Sequence, residues 1–349
     1  ARGGMTGTSA PDQGGKRHRI ATLYAPESGT EQGEDLILQG NNDIRHLIDP
    51  RHFTSDSIIL RASRLDHIRA IGLNSFDLVI NAVSDVDLNP EGLELAATIC
   101  GELDVPVLNL PGAVMDTARD RIAEKLTGID GLHIPKTLRL QGSAITAASH
   151  YLGGMGWPVL VRKAGNHGAI DLVRYDDAAA LATVLERADY DADDFYYMTE
   201  FVDFSEPSGI YWKTRIVVID GEPVIRHHIP SPEWIVNMSR RKLLVEKRPD
   251  LMEREARVVN DPLTFLGEAG LRTIRAIHRA IGLDYFGIDC TVLGDGRLMV
   301  FEANASMNML PLPEKPPDYS VNALRRITSR ITRMLQARIA GHAARIGLT

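Results

Sequence analysis

Short apolar runs separated by helical patterns dominate the first third of the chain. Runs at 20–25, 57–60, 76–81 and 105–110 each have the length of a buried strand and end in loop residues. A helical pattern covers 92–100. Strands that alternate with helices predict a small parallel α/β domain. No GxGxxG motif follows its first strand, so the pattern does not indicate a dinucleotide-binding site.

Paired strands characterise the remainder of the chain. Strand-like runs lie at 157–163, 170–174, 196–202, 211–219, 223–229, 285–293 and 298–302, and helical patterns lie at 115–128, 177–188, 253–281 and 321–345. Asp-Gly pairs separate the fourth run from the fifth and the sixth from the seventh, which predicts two hairpins. We therefore divide the chain into four parts: a disordered tail (1–18), a parallel α/β domain (19–115) and two α+β subdomains (116–199 and 200–349).

Composition excludes several classes of protein. The formal net charge of −7 argues against nucleic acid or an anionic membrane as the main partner. The two cysteines, Cys100 and Cys290, are too few for a disulfide framework or a Cys-rich zinc site and fit a reducing cytoplasm. No apolar run is long enough to span a bilayer. The polar, basic tail has no apolar segment, so we expect no secretory signal.

The last hairpin predicts a metal site. If Asp295-Gly296 is a two-residue loop, counting outward places Asp289 directly opposite Glu302, with Asn304 on the same face of the sheet. Opposed carboxylates repel each other, and both strands are otherwise apolar. Two carboxylates and an amide oxygen are ligands that Mg²⁺ prefers. The alternative interpretation is a solvated strand face that carries two unrelated acids.

The preceding hairpin predicts a cluster of cations. With Asp-Gly at 220–221 as the loop, Arg215 would face Arg226, and Lys213 would face His228. Opposed cations can be stabilised by a polyphosphate or by a developing oxyanion. The alternative is an exposed sheet face on which the long side chains splay into water.

A glycine-containing bend adds a third element. The strand that ends at Lys163 leads into Ala-Gly-Asn-His-Gly at 164–168. Glycine allows backbone N–H groups to approach phosphate oxygens closely, and Lys163 would add a charge beside the bend. Such bends are common by themselves. Together with the two hairpins, this one favours magnesium-nucleotide chemistry.

These motifs resemble those of the ATP-grasp superfamily over about residues 116–310. FGIDCTV…MVFEANASMN is similar to its metal-binding hairpin, PVLVRKAGNHG to its phosphate-binding strand and loop, and MTEFV to the hinge that holds adenine and ribose. The resemblance is to carboxylate–amine ligases such as D-alanine–D-alanine ligase and enzymes that join amino acids. It implies an α/β (α+β) ATP-grasp fold, in which a parallel α/β domain precedes two α+β subdomains that clasp ATP.

The resemblance also implies roles for particular residues. The residues expected to bind ATP are Arg121, Lys163, Asn166, His167, Gly168, Glu200, Phe201, Val202 and Lys213. Those expected to hold two Mg²⁺ ions, with Mn²⁺ as an alternative, are Asp289, Glu302 and Asn304. The expected catalytic residues are Arg215 and Arg226, and the expected substrate contacts are His228, Trp234 and Asn237. Two positions depart from the family pattern. Arg121 replaces a lysine, and Gly287 replaces an arginine of D-alanine–D-alanine ligase.

The implied activity is ATP-dependent amide formation. A carboxylate would attack ATP to form an acylphosphate, and an amine would then displace phosphate. The expected substrate is an amino acid or a peptide, the expected compartment is the cytoplasm, and a homodimer is compatible with the family. Two alternatives stay open. The first is a small-molecule kinase of the same fold that phosphorylates a hydroxyl group, and the second is a nucleotide-binding module without catalytic activity.

Overall fold

The computed structural model describes residues 17–28, 38–148, 154–185, 190–307 and 315–347. Residues 1–16 of the predicted tail lie outside this part of the chain, and the first strand begins at His18. The described residues form three β-sheets with helices packed around them. None of the described helices has the length and apolar character needed to cross a membrane.

The first sheet is parallel and four-stranded, as the alternating pattern predicted. Its strands run in the order β2-β1-β3-β4. They are β1 (His18–Tyr24), β2 (Phe53–Ile59), β3 (Leu78–Asn81) and β4 (Val107–Leu108). The helices of this region are α1 (Leu65–Ile71), α2 (Pro90–Cys100) and α3 (Pro111–Met115).

The other two sheets come from the paired strands. A four-stranded antiparallel sheet has the order β6-β9-β7-β8, and a five-stranded sheet has the order β11-β10-β12-β13-β5. The strands are β5 (Leu132–His133), β6 (Thr137–Gln141), β7 (Val159–Lys163), β8 (Val173–Tyr175), β9 (Phe195–Glu200), β10 (Tyr211–Ile219), β11 (Glu222–Ser231), β12 (Tyr285–Val292) and β13 (Leu298–Asn304). Strand β5 pairs with β13 in the five-stranded sheet, although the sequence-based division assigned residues 116–199 to the central subdomain.

The remaining helices cover these two sheets. They are α4 (Arg119–Leu126), α5 (Gly142–Ala148), α6 (Ala178–Leu185), α7 (Met238–Val245), α8 (Pro249–Asn260), α9 (Pro262–Ile281) and α10 (Asp318–Arg345). The helical pattern at 253–281 is thus two helices. The break falls where Asp261 caps α9 by accepting a hydrogen bond from the Thr264 N–H at 3.1 Å, and Pro262 occupies the first turn, where its missing N–H costs nothing.

Strand β12 is the centre of the packing. Phe286 and Ile288 belong to a core shared with α9 and the first sheet, whereas Tyr285 packs in a second core with the first sheet and α10. Alternating side chains of one strand therefore fill two cores. This packing fixes the position of Asp289, the next residue of the same strand.

Asn109 ties the end of β4 to the start of β12. Its backbone is left-handed (φ 53°), and the side chain is fully buried. The side-chain oxygen accepts hydrogen bonds from the N–H groups of Asp284 and Tyr285 (2.9 and 3.2 Å), and the side-chain nitrogen donates to the Tyr285 carbonyl (2.9 Å). Asparagine tolerates this conformation better than most residues, so both its backbone and its amide suit the position.

Replacing Asn109 with alanine should lower the free energy of unfolding by about 3 kcal/mol, because buried backbone groups lose their partners. Denaturant unfolding measures this change. The matched control is Asn74→Ala, which removes one exposed hydrogen bond to the Asp104 N–H and should cost less than about 1 kcal/mol. Equal losses in the two variants would show that Asn109 does not tie the sheets together.

Candidate functional site

The last hairpin places Asp289 directly opposite Glu302, as predicted. Two departures from the assumed geometry cancel. Leu293 pairs with Arg297 (N···O 2.9 Å) around a three-residue loop, and Phe301 is a bulge between the last paired positions. The longer loop shifts the register by one residue and the bulge restores it. The pairing is therefore confirmed, but the assumed two-residue loop was wrong.

The preceding hairpin does not have the predicted register. Its loop is the expected two residues, but a bulge at Arg226 shifts every pair beyond it. The observed pairs are Arg215 with His227, Thr214 with His228 and Lys213 with Ile229. The predicted opposition of Arg215 to Arg226 and of Lys213 to His228 was wrong, because one strand contains an extra residue. Arg226 is buried near Arg215, and burial together with that charge lowers its pKa.

The shift turns His228 away from Lys213 and Arg215. Its ring stacks on Trp212 (4.3 Å between ring centroids), and its Nδ1 lies 2.8 Å from the Thr214 hydroxyl oxygen. Burial and the charge of Arg254 lower the pKa of His228 to about 3, so the ring is neutral. Asn237 has a local role too, since its side chain caps α7 by accepting from the Arg240 N–H at 3.0 Å.

One cavity of about 390 Å³ gathers most of the predicted site. Its lining comes mainly from α4, the four-stranded antiparallel sheet and the five-stranded sheet. The predicted residues that line it are His167, Gly168, Glu200, Phe201, Val202, Lys213, Arg215, Trp234, Asp289, Glu302 and Asn304. The predicted residues that do not are Arg121, Lys163, Asn166, Arg226, His228 and Asn237.

Asp289 is buried between two cations. Its carboxylate accepts hydrogen bonds from Arg215 Nε and Nη2 at 2.8 and 3.0 Å, and Lys213 Nζ lies 3.2 Å away. Burial alone would raise the pKa of Asp289, but the charges of Lys213 and Arg215 lower it to about 2. Asp289 is therefore an ionised carboxylate inside the cavity.

Glu302 is held in a similar way by a different element. Arg119, at the start of α4, donates to Glu302 Oε1 at 2.7 Å, and His167 Nδ1 lies 3.8 Å from the same oxygen. The side-chain nitrogen of Asn304 also donates to it. Burial would raise the pKa of Glu302, but Arg119 and His167 hold it well below its usual value.

Arg162, and not Lys163, faces the cavity from β7. Val159 and Val161 pack in the core of the four-stranded antiparallel sheet, so alternation directs Arg162 to the opposite face, together with Leu160. Lys163 instead forms an ion pair with Asp194 at the surface. Burial and the charge of Arg119 lower the pKa of Arg162 to about 10, which shows a local excess of positive charge.

Arg119 takes the place that the sequence analysis assigned to Arg121. Arg121 is exposed and donates to the Met115 carbonyl at 3.1 Å. Arg119 lies three and four residues before Ile122 and Ala123, and all three line the cavity. The helical period thus contained a signal for Arg119, and strand alternation contained one for Arg162.

The glycine bend at 164–168 contacts the first domain. His167 Nε2 lies 2.5 Å from Asp85 Oδ2, and this hydrogen bond together with Glu302 raises the pKa of His167 to about 9. At Gly165 an added Cβ would lie 2.9 Å from the Leu88 side chain, so the bend passes too close to Leu88 for a larger residue. Asn166 bonds Asp171 instead of facing the cavity. Asp85 was not predicted as a site residue, because its partner is 82 positions away.

Aromatic and apolar residues line another part of the cavity. Phe201 and Trp234 meet edge to face with centroids 5.8 Å apart, and the Arg174 guanidinium lies 4.2 Å from the centre of the Phe201 ring. The Phe201 N–H already donates to the Pro158 carbonyl at 3.1 Å. Glu200 adds a carboxylate to the lining beside these rings.

Asp289, Glu302 and Asn304 fit a hard divalent cation. The two carboxylates are ionised, and the side-chain oxygen of Asn304 is buried without a hydrogen-bond partner. An unsatisfied buried oxygen beside two carboxylates matches the oxygen ligands of Mg²⁺. Among the described residues, no group of three or more His, Cys, Asp or Glu side chains is arranged to hold a metal ion, so the ligand set would be these three side chains.

Met307 fills the space over Gly287, which lies opposite Asn304 on the neighbouring strand. A Cβ at Gly287 would lie 2.2 Å from the Met307 sulfur and 2.4 Å from its Cβ. Met307 itself is buried and lines the cavity. Glycine is therefore required at this position by the close approach of the segment that follows Asn304.

Gly287→Ala should displace Met307 and destabilise the protein by about 1–3 kcal/mol, the usual cost of overpacking. Thermal unfolding of the purified variant measures the loss. Gly294→Ala is the matched control, because an added Cβ there meets open space on the same hairpin. A Gly287→Ala variant as stable as this control would mean that Met307 moves away without cost.

Solved structures of known proteins share this architecture. D-alanine–D-alanine ligase from Bacillus anthracis, complexed with ATP, is 17% identical with a TM-score of 0.51, covering 90% of this chain and 98% of that one. The ligase from Coxiella burnetii (10%, 0.55, 95% and 98%) and D-alanyl-alanine synthetase A from Vibrio cholerae (13%, 0.55, 94% and 100%) are also similar. No protein-family model and no curated protein sequence matches the chain. The chain therefore has the ATP-grasp fold found in the D-alanine–D-alanine ligases, as its motifs predicted.

Proposed function

We propose that this protein uses ATP to join a carboxylate to an amine through an acylphosphate, with release of ADP and phosphate. The observation that carries the proposal is the cavity that combines two ionised carboxylates, four cations and an aromatic surface. The four cations are Arg119, Arg162, Lys213 and Arg215. This combination suits a nucleotide whose base, phosphates and metal need different surroundings.

The nucleotide is proposed to lie along this lining. Phe201 and Trp234 offer an apolar surface for adenine, and the Glu200 carboxylate would accept hydrogen bonds from ribose hydroxyls. Arg119 and Arg162, whose charges repel each other, would bind the phosphates. The name of the Bacillus anthracis ligase, which describes a complex with ATP, supports a nucleotide in a fold of this kind.

Asp289, Glu302 and Asn304 would hold Mg²⁺ or Mn²⁺ beside the phosphates. The metal, two ions by the family pattern, would neutralise phosphate charge during transfer. Arg215 extends into the same cavity and would stabilise negative charge on the reacting acyl group. The glycine bend, held by Asp85, would exclude water that could hydrolyse the acylphosphate. The protein would act by positioning and charge stabilisation, and no side chain would attack the substrate.

An amino acid or a short peptide is the proposed substrate. The names of the neighbouring ligases, which join alanine units, support this class. The net charge of −7 argues against nucleic acid. Both cysteines are buried and free, in keeping with a reducing compartment such as the cytoplasm. A homodimer remains compatible with this proposal.

The activity test is release of ADP from ATP and Mg²⁺ in the presence of pooled amino acids and peptides. Turnover should require both a carboxylate and an amine, and mass spectrometry should find the amide. A stable phosphorylated product would instead identify a kinase. Binding of ATP without any ADP release across the panel would indicate a non-catalytic module.

Asp289→Asn should reduce this turnover by about a thousandfold, because it removes a charged ligand from the proposed metal site. Steady-state kinetics measures the loss. Asp295→Asn is the control, since it changes an exposed residue in the loop of the same hairpin, where the carboxylate bonds only to Arg297. Undiminished turnover in Asp289→Asn would remove the hairpin from the catalytic site.

Arg162→Gln should weaken ATP binding by about tenfold or more, since a charge-assisted contact to phosphate is lost. Lys163→Gln on the same strand should bind ATP as the unmodified protein does, because Lys163 pairs with Asp194 outside the cavity. Calorimetric titration with ATP and Mg²⁺ compares the two variants. The opposite ranking would show that β7 presents its other face to the nucleotide.

A further inference from the structure

The acids proposed to hold the metal already have counter-ions. Asp289 is paired with Arg215 and Lys213, at 2.8 and 3.2 Å, and Glu302 is paired with Arg119 at 2.7 Å. These cations line the same cavity as the acids and belong to different elements of the fold. A metal ion on the carboxylates would therefore have to displace them.

Displacing one partner of a buried ion pair is costly unless the other partner finds a new one. An unpaired buried charge typically costs several kcal/mol. Arg119 illustrates the cost, because its charge already lowers the pKa of Arg162. If a metal took Glu302 alone, two like charges would be left facing each other without a carboxylate.

A nucleotide alone meets the converse difficulty. Its phosphates would attract Arg119 and Arg215 away from Glu302 and Asp289, and two buried carboxylates would then be left without counter-ions. Only the simultaneous arrival of metal and phosphates gives every charge a new partner. The carboxylates would pair with the metal, and the cations would pair with the phosphates.

We propose that Arg119, Arg215 and Lys213 are exchangeable counter-ions. They neutralise Asp289 and Glu302 in the nucleotide-free protein and transfer to the nucleotide when the metal binds the acids. Metal and nucleotide therefore bind with strong positive cooperativity, and each binds poorly alone. This inference rests on the proposed nucleotide and metal site, but it concerns binding and is independent of the acyl substrate.

Mn²⁺ binding to the nucleotide-free full-length protein tests the exchange, with free Mn²⁺ measured by electron paramagnetic resonance. Arg119→Gln removes a competitor for Glu302, so Mn²⁺ should bind about tenfold more tightly than to the unmodified protein. Arg119→Lys keeps the charge and should bind Mn²⁺ weakly. Lys125→Gln removes one positive charge from the same helix, where Lys125 pairs with Asp116 at 2.9 Å, and should leave the affinity unchanged.

The same titrations in saturating ADP complete the test. The advantage of Arg119→Gln should shrink or reverse there, because the variant has lost a phosphate contact. Arg215→Gln offers an independent version of the experiment at Asp289, should Arg119→Gln fold poorly. Equal Mn²⁺ affinity in the unmodified protein and in either folded Gln variant would overturn the exchange. A failed search for substrates would instead count against the ligase activity and leave this result in place.

Discussion

Two carboxylates face each other across adjacent strands of a buried sheet, and their charge has to be balanced whether or not a ligand is present. Asp289 and Glu302 stay ionised because cations reach them from separate parts of the chain. Strand β10 supplies Lys213 and Arg215, and helix α4 supplies Arg119. The requirement for balance thus brings elements from distant parts of the sequence to one cavity. Most of the residues with proposed roles lie there as a consequence.

The sequence predicted the topology better than the detailed register. Apolar runs and Asp-Gly pairs located the sheets and both hairpins, because strand length and turn chemistry are local properties. A β-bulge depends on how one extra residue is accommodated by its neighbours, so it leaves no comparable local signal. At Phe301 the bulge offset an error in the assumed loop, and the pairing of Asp289 with Glu302 was confirmed. At Arg226 nothing offset it, and the predicted pairs were wrong.

The cations of the cavity show which part of a site is accessible to sequence reasoning. Lys163 and Arg121 were chosen by resemblance, whereas Arg162 and Arg119 face the cavity. Strand alternation and helical period contained that information, since each cavity residue shares a face with apolar neighbours. The contact of His167 with Asp85 is different in kind, because only the folded chain brings the two residues together.

The exchange of counter-ions also bears on the order of events in the proposed reaction. D-alanine–D-alanine ligase is expected to have an arginine at the position of Gly287, but here Met307 occupies that space. Stabilisation of a developing oxyanion would then depend largely on Arg215, which is engaged with Asp289 in the nucleotide-free protein. Arg215 becomes available only when Asp289 has another counter-ion. An acyl group that arrived before the metal and nucleotide would find no free guanidinium at Arg215, so the same ion pair that stabilises the empty cavity would also delay the chemistry until the cavity is filled.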